Sequence, residues 1–342
     1  LYLVYNKAMK DEAEKTFGKL SHVDIKTTHG LAYSYVGRFY KNKLTFNYGI
    51  VDIIKDLNLN WNRDMELAAK IDVMMKEYML SEKENFEDIE IFTDDKQTRQ
   101  KVINNCQKLW NLKKNYNNTI KVEHDFYLKL FQLSKTDLSN KYDIIALDEA
   151  QDSNYMILDI LYNSNVKGLV IIGDKFQQLY SWRKATNIMP KFEGIEYKLT
   201  TSFRVGQNIA NVSNLVIKDI SDNNIEMKGF NTKQVIVDKI DKNKPYVCLC
   251  RTNSYIFAEV FDVISNNKKA KLFFEGGYNS YNFQNIYDAY YFYKGHKVNN
   301  PLFNKFKNYD QMIEYAETTE DLELLALQRM IYKYGDRIPS IV

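Results

Sequence analysis

The spacing of hydrophobic positions changes along the chain, and the change divides it into regions. Short, wholly apolar runs with high strand propensity occur at residues 1–5, 23–27, 142–147 and 169–172. Residues 6–17 and 155–162 instead carry helix-favouring residues. Apolar strands separated by helices are the pattern of a parallel sheet covered on both faces. We therefore expect an α/β fold whose functional groups gather beyond the carboxyl ends of the strands.

A helical block interrupts this pattern between the second and third strands. Residues 51–114 form long amphipathic stretches with few Gly or Pro, such as 65–80 and 96–112. Farther along, the sequence predicts a helix at 205–217 and then a mixed region. Apolar strands are expected at 246–249 and 272–274, and an aromatic, helical tail from residue 278.

Composition excludes several classes of protein. The 342 residues are 45% hydrophobic and 27% charged, which suits a packed core and excludes disordered, collagen-like and coiled-coil chains. No apolar run reaches the ~18 residues of a membrane span. The 47 basic and 44 acidic side chains leave a net charge of +3, too small to indicate a nucleic-acid binder. The strand-like start without Met suggests a piece of a longer protein.

Three cysteines suggest a reduced intracellular protein. Cys248 and Cys250 alternate in an apolar run, and this spacing favours one buried face of a strand over a metal site.

Acidic residues follow the third predicted strand. Asp148 and Glu149 at a strand tip can hold a hydrated Mg²⁺ and orient a water molecule, as nucleotide hydrolysis requires. The pair is equally consistent with a solvated turn or helix cap, with Asp152 and Ser153 as capping candidates.

Two later segments add further chemistry. After the fourth strand, Gln177 offers an amide to a phosphate, while Tyr180 and Trp182 could stack on bases or simply pack in the core. Arg204 is either a surface charge or a finger that reaches a γ-phosphate.

Taken in order, these segments resemble the motifs of the UvrD/Rep-type superfamily 1 DNA helicases. The motif-like segments are 4–8, 27–29, 148–152, 173–185, 202–204 and 250–253. Within that family the chain looks most like F-box DNA helicases, because of the residue types at 5–8, 274–277, 290–295 and 334–336. No F-box is visible in the 342 residues.

The resemblance implies roles for individual residues. Asp148 would help hold Mg²⁺, Glu149 would activate water, and Gln177, Arg204 and Arg251 would contact the nucleotide. The implied cofactors are ATP and Mg²⁺. The implied partner is single-stranded DNA or a DNA junction, with no membrane. The implied location is the nucleus in a eukaryote and the cytoplasm in a microbe or virus. The DNA contacts would come from Asn6, Lys7, Thr28, His29, Tyr180, Trp182 and Arg183. Where many relatives carry an aromatic residue in the first DNA motif, this chain has Val4, so we expect no stacking there.

The resemblance also implies an architecture of RecA-like P-loop NTPase sheets in three αβα layers with helical insertions. The first motor domain would comprise 1–35 and 120–202, and residues 36–119 would be a helical insertion. Residues 203–277 would begin an incomplete second motor domain, and 278–342 would begin its inserted subdomain.

One family motif is missing from these residues. No G-x-x-x-x-G-K-[ST] phosphate loop occurs in the chain, and the late motifs that close the nucleotide site are absent too. We therefore expect the isolated chain to be inactive, while its parent is a 3′–5′ DNA helicase that acts in repair or recombination control. A catalytically inactive module that binds single-stranded nucleic acid remains the alternative. A nucleotide kinase is a weaker third reading, which the aromatic segment at 177–182 does not favour.

Overall fold

The computed structural model describes residues 1–90, 95–178, 186–221, 226–230, 236–242, 244–267, 269–319 and 321–340. The chain divides into two compact units. The first unit contains Leu1–Leu59 and Lys70–Lys239, and the second contains Asn60–Ala69 and Ile240–Val342.

A parallel sheet of four strands organises the first unit. Its strands are β1 (Tyr2–Val4), β2 (Ile25–Thr27), β3 (Ile144–Leu147) and β4 (Gly168–Ile171). The spatial order is β2-β1-β3-β4, and Leu3 of the central β1 is paired with both Lys26 and Leu147. The expected mixed α/β fold with a parallel sheet is confirmed.

Eight α-helices lie between and after these strands along the described part of the chain. They are α1 (Lys7–Phe17), α2 (Thr28–Tyr35), α3 (Ile50–Leu57), α4 (Trp61–Leu80), α5 (Lys96–Lys114), α6 (His124–Leu133), α7 (Tyr155–Tyr162) and α8 (Gln207–Ile220). The first residues of α4 belong to the second unit. Leu3 and Leu147 of the sheet share one buried cluster with Leu31 of α2, Phe131 of α6 and Met156 of α7. Burial of these apolar side chains fixes the helices against the sheet.

The helical region between β2 and β3 contains a buried ion pair. The ammonium of Lys113 near the end of α5 donates to the carboxylate of Glu123 and lies 3.3 Å from the centre of the Tyr48 ring. The Tyr48 hydroxyl in turn donates to Asp56 at 2.8 Å. Burial lowers the pKa of Lys113 and raises that of Glu123, which means that each charge depends on its partner.

Two short strands and four further α-helices follow in the described part of the chain. Strands β5 (Thr201–Ser202) and β6 (Lys228–Gly229) pair in parallel. The second unit contains α9 (Asn253–Asn266), α10 (Phe283–Tyr293), α11 (Tyr309–Thr318) and α12 (Leu322–Tyr334). Its core includes Phe257 of α9, Phe283 of α10 and Ile331 of α12. Among the helices that the structure describes, none is long and apolar enough to cross a membrane.

Two predicted strands are wrong. Residues 246–249 and 272–274, all within the described part, form no strand, and Val247, Leu249 and Phe273 are exposed. High strand propensity is not enough to form a strand, because a strand also needs a neighbouring strand to pair with. No described segment pairs with residues 246–249 or 272–274. The buried strand face expected for the cysteines is wrong as well, because Cys248 is exposed, with its Sγ 3.7 Å from that of Cys250.

Candidate functional site

The carboxyl ends of all four strands of the first sheet lie at one edge, because the strands are parallel. The chain turns there into helices with side-chain caps. Asn6 follows β1 and its Oδ1 accepts from the backbone NH of Met9 at 3.0 Å, which starts α1. Thr27 ends β2 and its Oγ1 accepts from Gly30 at 2.9 Å, which starts α2. These caps satisfy backbone donors at the helix starts and set the path of the chain past the edge.

A cavity of about 140 Å³ lies at this edge. Asn6, Thr28 and His29 line it from the ends of β1 and β2, and Asp148 lines it from the end of β3. The first three residues were predicted to contact DNA and the fourth to hold Mg²⁺. The structure therefore brings residues of both predicted groups to one cavity.

The carboxylate of Asp148 is held on both oxygens. The Tyr2 hydroxyl donates to Oδ2 at 2.6 Å, and the backbone NH of Glu149 donates to Oδ1 at 3.0 Å. Burial, followed by the hydrogen bond to Asp148, raises the pKa of Tyr2, so that its hydroxyl stays protonated as a donor. The sequence assigned no role to Tyr2, which lies 146 residues from its partner.

The donors at the end of β3 fit a hydrated magnesium ion. Asp148 and Glu149 are half-buried carboxylates, the hard oxygen ligands that Mg²⁺ prefers. Over the residues that the structure describes, no three acidic, His or Cys side chains form a cation cage. This composition suits Mg²⁺, which commonly takes one or two carboxylates and completes its shell with water and phosphate oxygens.

Gln151 connects the ends of β3 and β4. Its Nε2 donates to Glu149 Oε2 at 2.5 Å, and its Oε1 accepts from the backbone NH of Asp174 at 3.0 Å. Gln151 is only 1% exposed, so its amide is buried, whereas its partners are half-buried (Glu149) and exposed (Asp174). A Cβ at Gly173 would lie 2.5 Å from the same Oε1, and therefore only glycine allows this approach. The sequence placed Gln151 inside the motif-like segment 148–152 but gave it no role.

Gln177 lies at the end of the 3-10 helix Lys175–Gln177 and is exposed. Its Nε2 donates to Asp174 Oδ2 at 2.8 Å, while Asp174 Oδ1 caps the same helix through the NH of Phe176. Asp174 thus contacts Gln177 through its side chain and Gln151 through its backbone. A hydrogen-bonded path joins Glu149 to Gln177.

His29 is held by a second residue of the cavity. Its Nε2 lies 2.9 Å from Oδ1 of Asp125, a cavity residue on α6 that the sequence did not single out. The neighbouring His124 bonds the Tyr127 hydroxyl at 2.9 Å through Nδ1. Burial, and then the proximity of His29, lowers the pKa of His124. Phe46 stacks on the His124 ring at 4.7 Å between ring centres and is exposed.

The remaining predicted residues lie elsewhere. Lys7 is exposed at the start of α1, and Arg204 is exposed after β5. Arg251 is exposed in the second unit. Tyr180, Trp182 and Arg183 lie outside the described residues. Val4, where no stacking was expected, is 1% exposed and packs with Ala13 and Ile25.

Comparison with known proteins identifies the family. The family model of the UvrD/REP helicase N-terminal domain matches residues 6–193. F-box DNA helicase 1 of Gallus gallus is 27% identical over an alignment that covers all of this chain and 36% of that protein. F-box DNA helicase protein 1 of Schizosaccharomyces pombe is 24% identical, with 99% of this chain and 42% of that protein covered.

A bacterial relative matches a shorter part. ATP-dependent DNA helicase PcrA of Staphylococcus epidermidis is 37% identical over 110 residues, which cover 30% of this chain and 15% of that protein. The chain spans less than half the length of each of these relatives. The family match nevertheless covers more than half of the chain. This chain therefore belongs to the UvrD/REP helicase family.

Proposed function

We propose that this chain is part of an ATP-dependent DNA helicase that moves 3′ to 5′ along single-stranded DNA and acts in DNA repair or recombination control. Membership of the UvrD/REP family supports a helicase, and the names of the relatives support DNA as the substrate. The observation that carries the proposal is the sheet-edge cavity, where Asp148 lies with Asn6, Thr28 and His29. Coupling between two sites is carried through contiguous contacts, so the closeness of the proposed nucleotide and DNA groups supports a motor.

In this proposal the residues at the end of β3 carry out hydrolysis. Asp148 and Glu149 would hold Mg²⁺, which when bound neutralises the charge that develops on the phosphate oxygens. Tyr2 keeps Asp148 in place through its short hydrogen bond. Gln151 holds one oxygen of Glu149, which leaves the other oriented to accept a proton from the attacking water.

The other predicted residues keep their roles as parts of the same proposal. Gln177, Arg204 and Arg251 would contact the nucleotide. Lys7, Tyr180, Trp182 and Arg183 would extend the DNA contact made at the cavity to single strands or junctions. Residues 1–35 and 120–202 would form the first motor domain around an insertion at 36–119. Residues 203–277 would begin the second, and 278–342 its inserted subdomain.

DNA binding is tested on the 342-residue chain with a fluorescein-labelled oligothymidylate, by fluorescence anisotropy. We expect His29→Ala to weaken binding about five-fold, the equivalent of one hydrogen bond worth about 1 kcal/mol. His22→Ala is the matched control, because His22 is exposed in the loop between α1 and β2. Equal affinity for the two variants would refute a DNA contact at His29.

A second candidate is a catalytically inactive module that binds single-stranded nucleic acid. The observation in its favour is that no G-x-x-x-x-G-K-[ST] run occurs in the 342 residues. The decisive experiment expresses the protein from its full reading frame and measures DNA-stimulated ATP hydrolysis. Hydrolysis that Glu149→Gln abolishes supports the helicase. DNA binding without any hydrolysis supports the inactive module.

A further inference from the structure

Two segments of the first unit form a basic surface to which the proposed function assigns no role. Residues 37–49 and 111–122 contain six basic residues and no acidic one, although the whole chain has a net charge of only +3. The exposed members of this basic surface are Arg38, Lys41, Lys114 and Lys121. Within the described chain, no carboxylate forms an ion pair with these four side chains. Positive charge concentrated in one place attracts a polyanion.

Hydrogen bonds hold the two segments together. The buried ammonium of Lys43 donates to the backbone oxygen of Asn115 at 2.6 Å, and Lys121 Nζ donates to the backbone oxygen of Asn42 at 3.2 Å. These pairs are 72 and 79 residues apart in sequence. The fold therefore brings the charges of both segments to one surface.

Exposed aromatic rings lie among these charges. Phe39 and Tyr116 are each 58% exposed, and their ring centres lie 6.2 Å apart. The guanidinium of Arg38 lies 4.9 Å from the centre of the Phe39 ring. Basic side chains interleaved with exposed aromatic rings are typical of surfaces that bind single-stranded nucleic acid.

Phe46 is the most exposed of these rings, and its position is fixed. It is 87% exposed, and it stacks on His124 with the ring centres 4.7 Å apart and the planes 30° apart. The backbone just before it is held, because the NH of Thr45 donates to the oxygen of Val122 at 3.0 Å. With one face on His124 and so little of the ring buried, the other face is open to a partner.

Phe46 lies on a path of rings that begins at the sheet-edge cavity. The His124 ring on which it stacks lies 6.5 Å, centre to centre, from the ring of His29, which lines the cavity. The carboxylates beside these rings are already bonded, Asp125 to His29 and Glu123 in the buried ion pair of the helical region. Bonded in this way, they repel a phosphate less than free carboxylates would.

Single-stranded DNA is the polyanion that fits both the charges and the rings. Its phosphates are attracted to lysine and arginine, and its unpaired bases offer flat faces to aromatic side chains. We propose that Phe46 stacks on a base of a single strand that continues from the cavity, while the basic surface neutralises the neighbouring phosphates. This role rests on the proposed function, since it extends the DNA contact assigned to His29.

The test uses fluorescence anisotropy of fluorescein-labelled oligothymidylate with the 342-residue chain. We expect Phe46→Ala to weaken binding about ten-fold, which equals about 1.4 kcal/mol and lies within the contribution of one stacked base. Phe273→Ala is the matched control, because Phe273 is 88% exposed and belongs to the second unit. Equal affinity for the two variants would overturn the proposal.

Two further comparisons separate base stacking from other contacts. Phe46→Tyr keeps a flat ring and should bind as tightly as the unaltered chain, whereas Phe46→Leu should lose as much affinity as Phe46→Ala. Full affinity of the leucine variant would refute stacking. An abasic oligonucleotide of the same length keeps the phosphates and lacks the bases, so Phe46→Ala should not weaken its binding. The same weakening with this oligonucleotide would also refute stacking.

Salt dependence tests the basic surface. For single strands, the logarithm of the affinity falls with the logarithm of the salt concentration by about 0.7 for each neutralised phosphate. Lys114→Gln should therefore reduce the slope by about 0.7. Lys19→Gln should leave it unchanged, because Lys19 is exposed in the loop between α1 and β2. Equal slopes for the two variants would overturn the phosphate contact.

Two outcomes separate this proposal from the helicase proposal. If His29→Ala weakens oligothymidylate binding and Phe46→Ala does not, the helicase proposal stands and the role of Phe46 is refuted. If neither variant weakens binding, the DNA contact at the cavity fails as well.

A blunt hairpin duplex distinguishes the two forms of DNA. The bases of a duplex are stacked on one another, so the hairpin should bind Phe46→Ala and the unaltered chain equally well. Equal loss of affinity for the hairpin and for oligothymidylate would assign the surface to double-stranded DNA and overturn the single-strand proposal.

Discussion

Gln151 offers the sharpest test of how the sheet edge is held together. Replacement by methionine keeps nearly the same volume in this buried position but removes both hydrogen bonds of the amide. A hydrogen bond to a charged group contributes about 1.5–3 kcal/mol, and one to a neutral amide about 0.5–1.5 kcal/mol. Because Glu149 is half-buried and Asp174 is exposed, water replaces part of what is lost. We therefore expect the free energy of unfolding to fall by about 2–3 kcal/mol.

Two measurements check this expectation for Gln151→Met. Urea unfolding followed by circular dichroism gives the change in free energy. Hydrogen exchange of the Asp174 amide reports the local loss directly and does not depend on cooperative unfolding of both units. Gln97→Met is the matched control, because Gln97 is exposed in the first turn of α5. Unaltered exchange at Asp174, with a free energy within about 0.5 kcal/mol of the control, would refute the role of Gln151.

Three further predictions concern buried and half-buried polar groups. Lys113→Met should lower the free energy of unfolding by about 3–5 kcal/mol, because it strands the Glu123 carboxylate, and the double variant with Glu123→Leu should recover most of this loss in urea unfolding. Tyr2→Phe should cost about 1–2 kcal/mol in the same assay through loss of the bond to Asp148, and no change would contradict that bond. Burial lowers the pKa of Lys129 from 10.5 to about 7. Between these pH values the unfolded chain binds more protons than the folded chain. Raising the pH from 7 to about 10 should therefore increase the free energy of unfolding relative to that of Lys129→Met. The same pH dependence of this free energy in both proteins would contradict the prediction.

Local sequence patterns predicted the strands and helices that are determined mainly by their own residues. The strands that contain Leu3 and Ile145 were predicted because each is a short apolar run with high strand propensity. Helix α7 was predicted with the bounds that the structure has. Asp148 was placed at a strand end for the same reason. Residues 246–249 carry the same signal and form no strand, because pairing depends on a neighbour that the segment itself does not encode.

The contacts that support the site could not be predicted from the sequence. Tyr2 meets Asp148 across 146 residues, and His29 meets Asp125 across 96. Such pairs depend on which strands and helices become neighbours, and that is decided by packing of the whole unit. A single sequence shows the residue types but not these distances.

The hydrogen-bonded path from Glu149 to Gln177 links the positions of these two side chains. Gln151 reaches Asp174 only because Gly173 leaves room for its oxygen, and Asp174 in turn accepts from Gln177. Any shift of the 3-10 helix that carries Gln177 therefore moves the backbone NH on which Gln151 relies, and Gln151 holds the oxygen of Glu149. In the proposed helicase, a γ-phosphate contact at Gln177 would act through this path on the orientation of Glu149, with no contact between the two side chains. Gly173→Ala should displace the side-chain oxygen of Gln151 and so remove its hydrogen bond with the Asp174 NH. The side chains of Glu149 and Gln177 are unchanged in this variant.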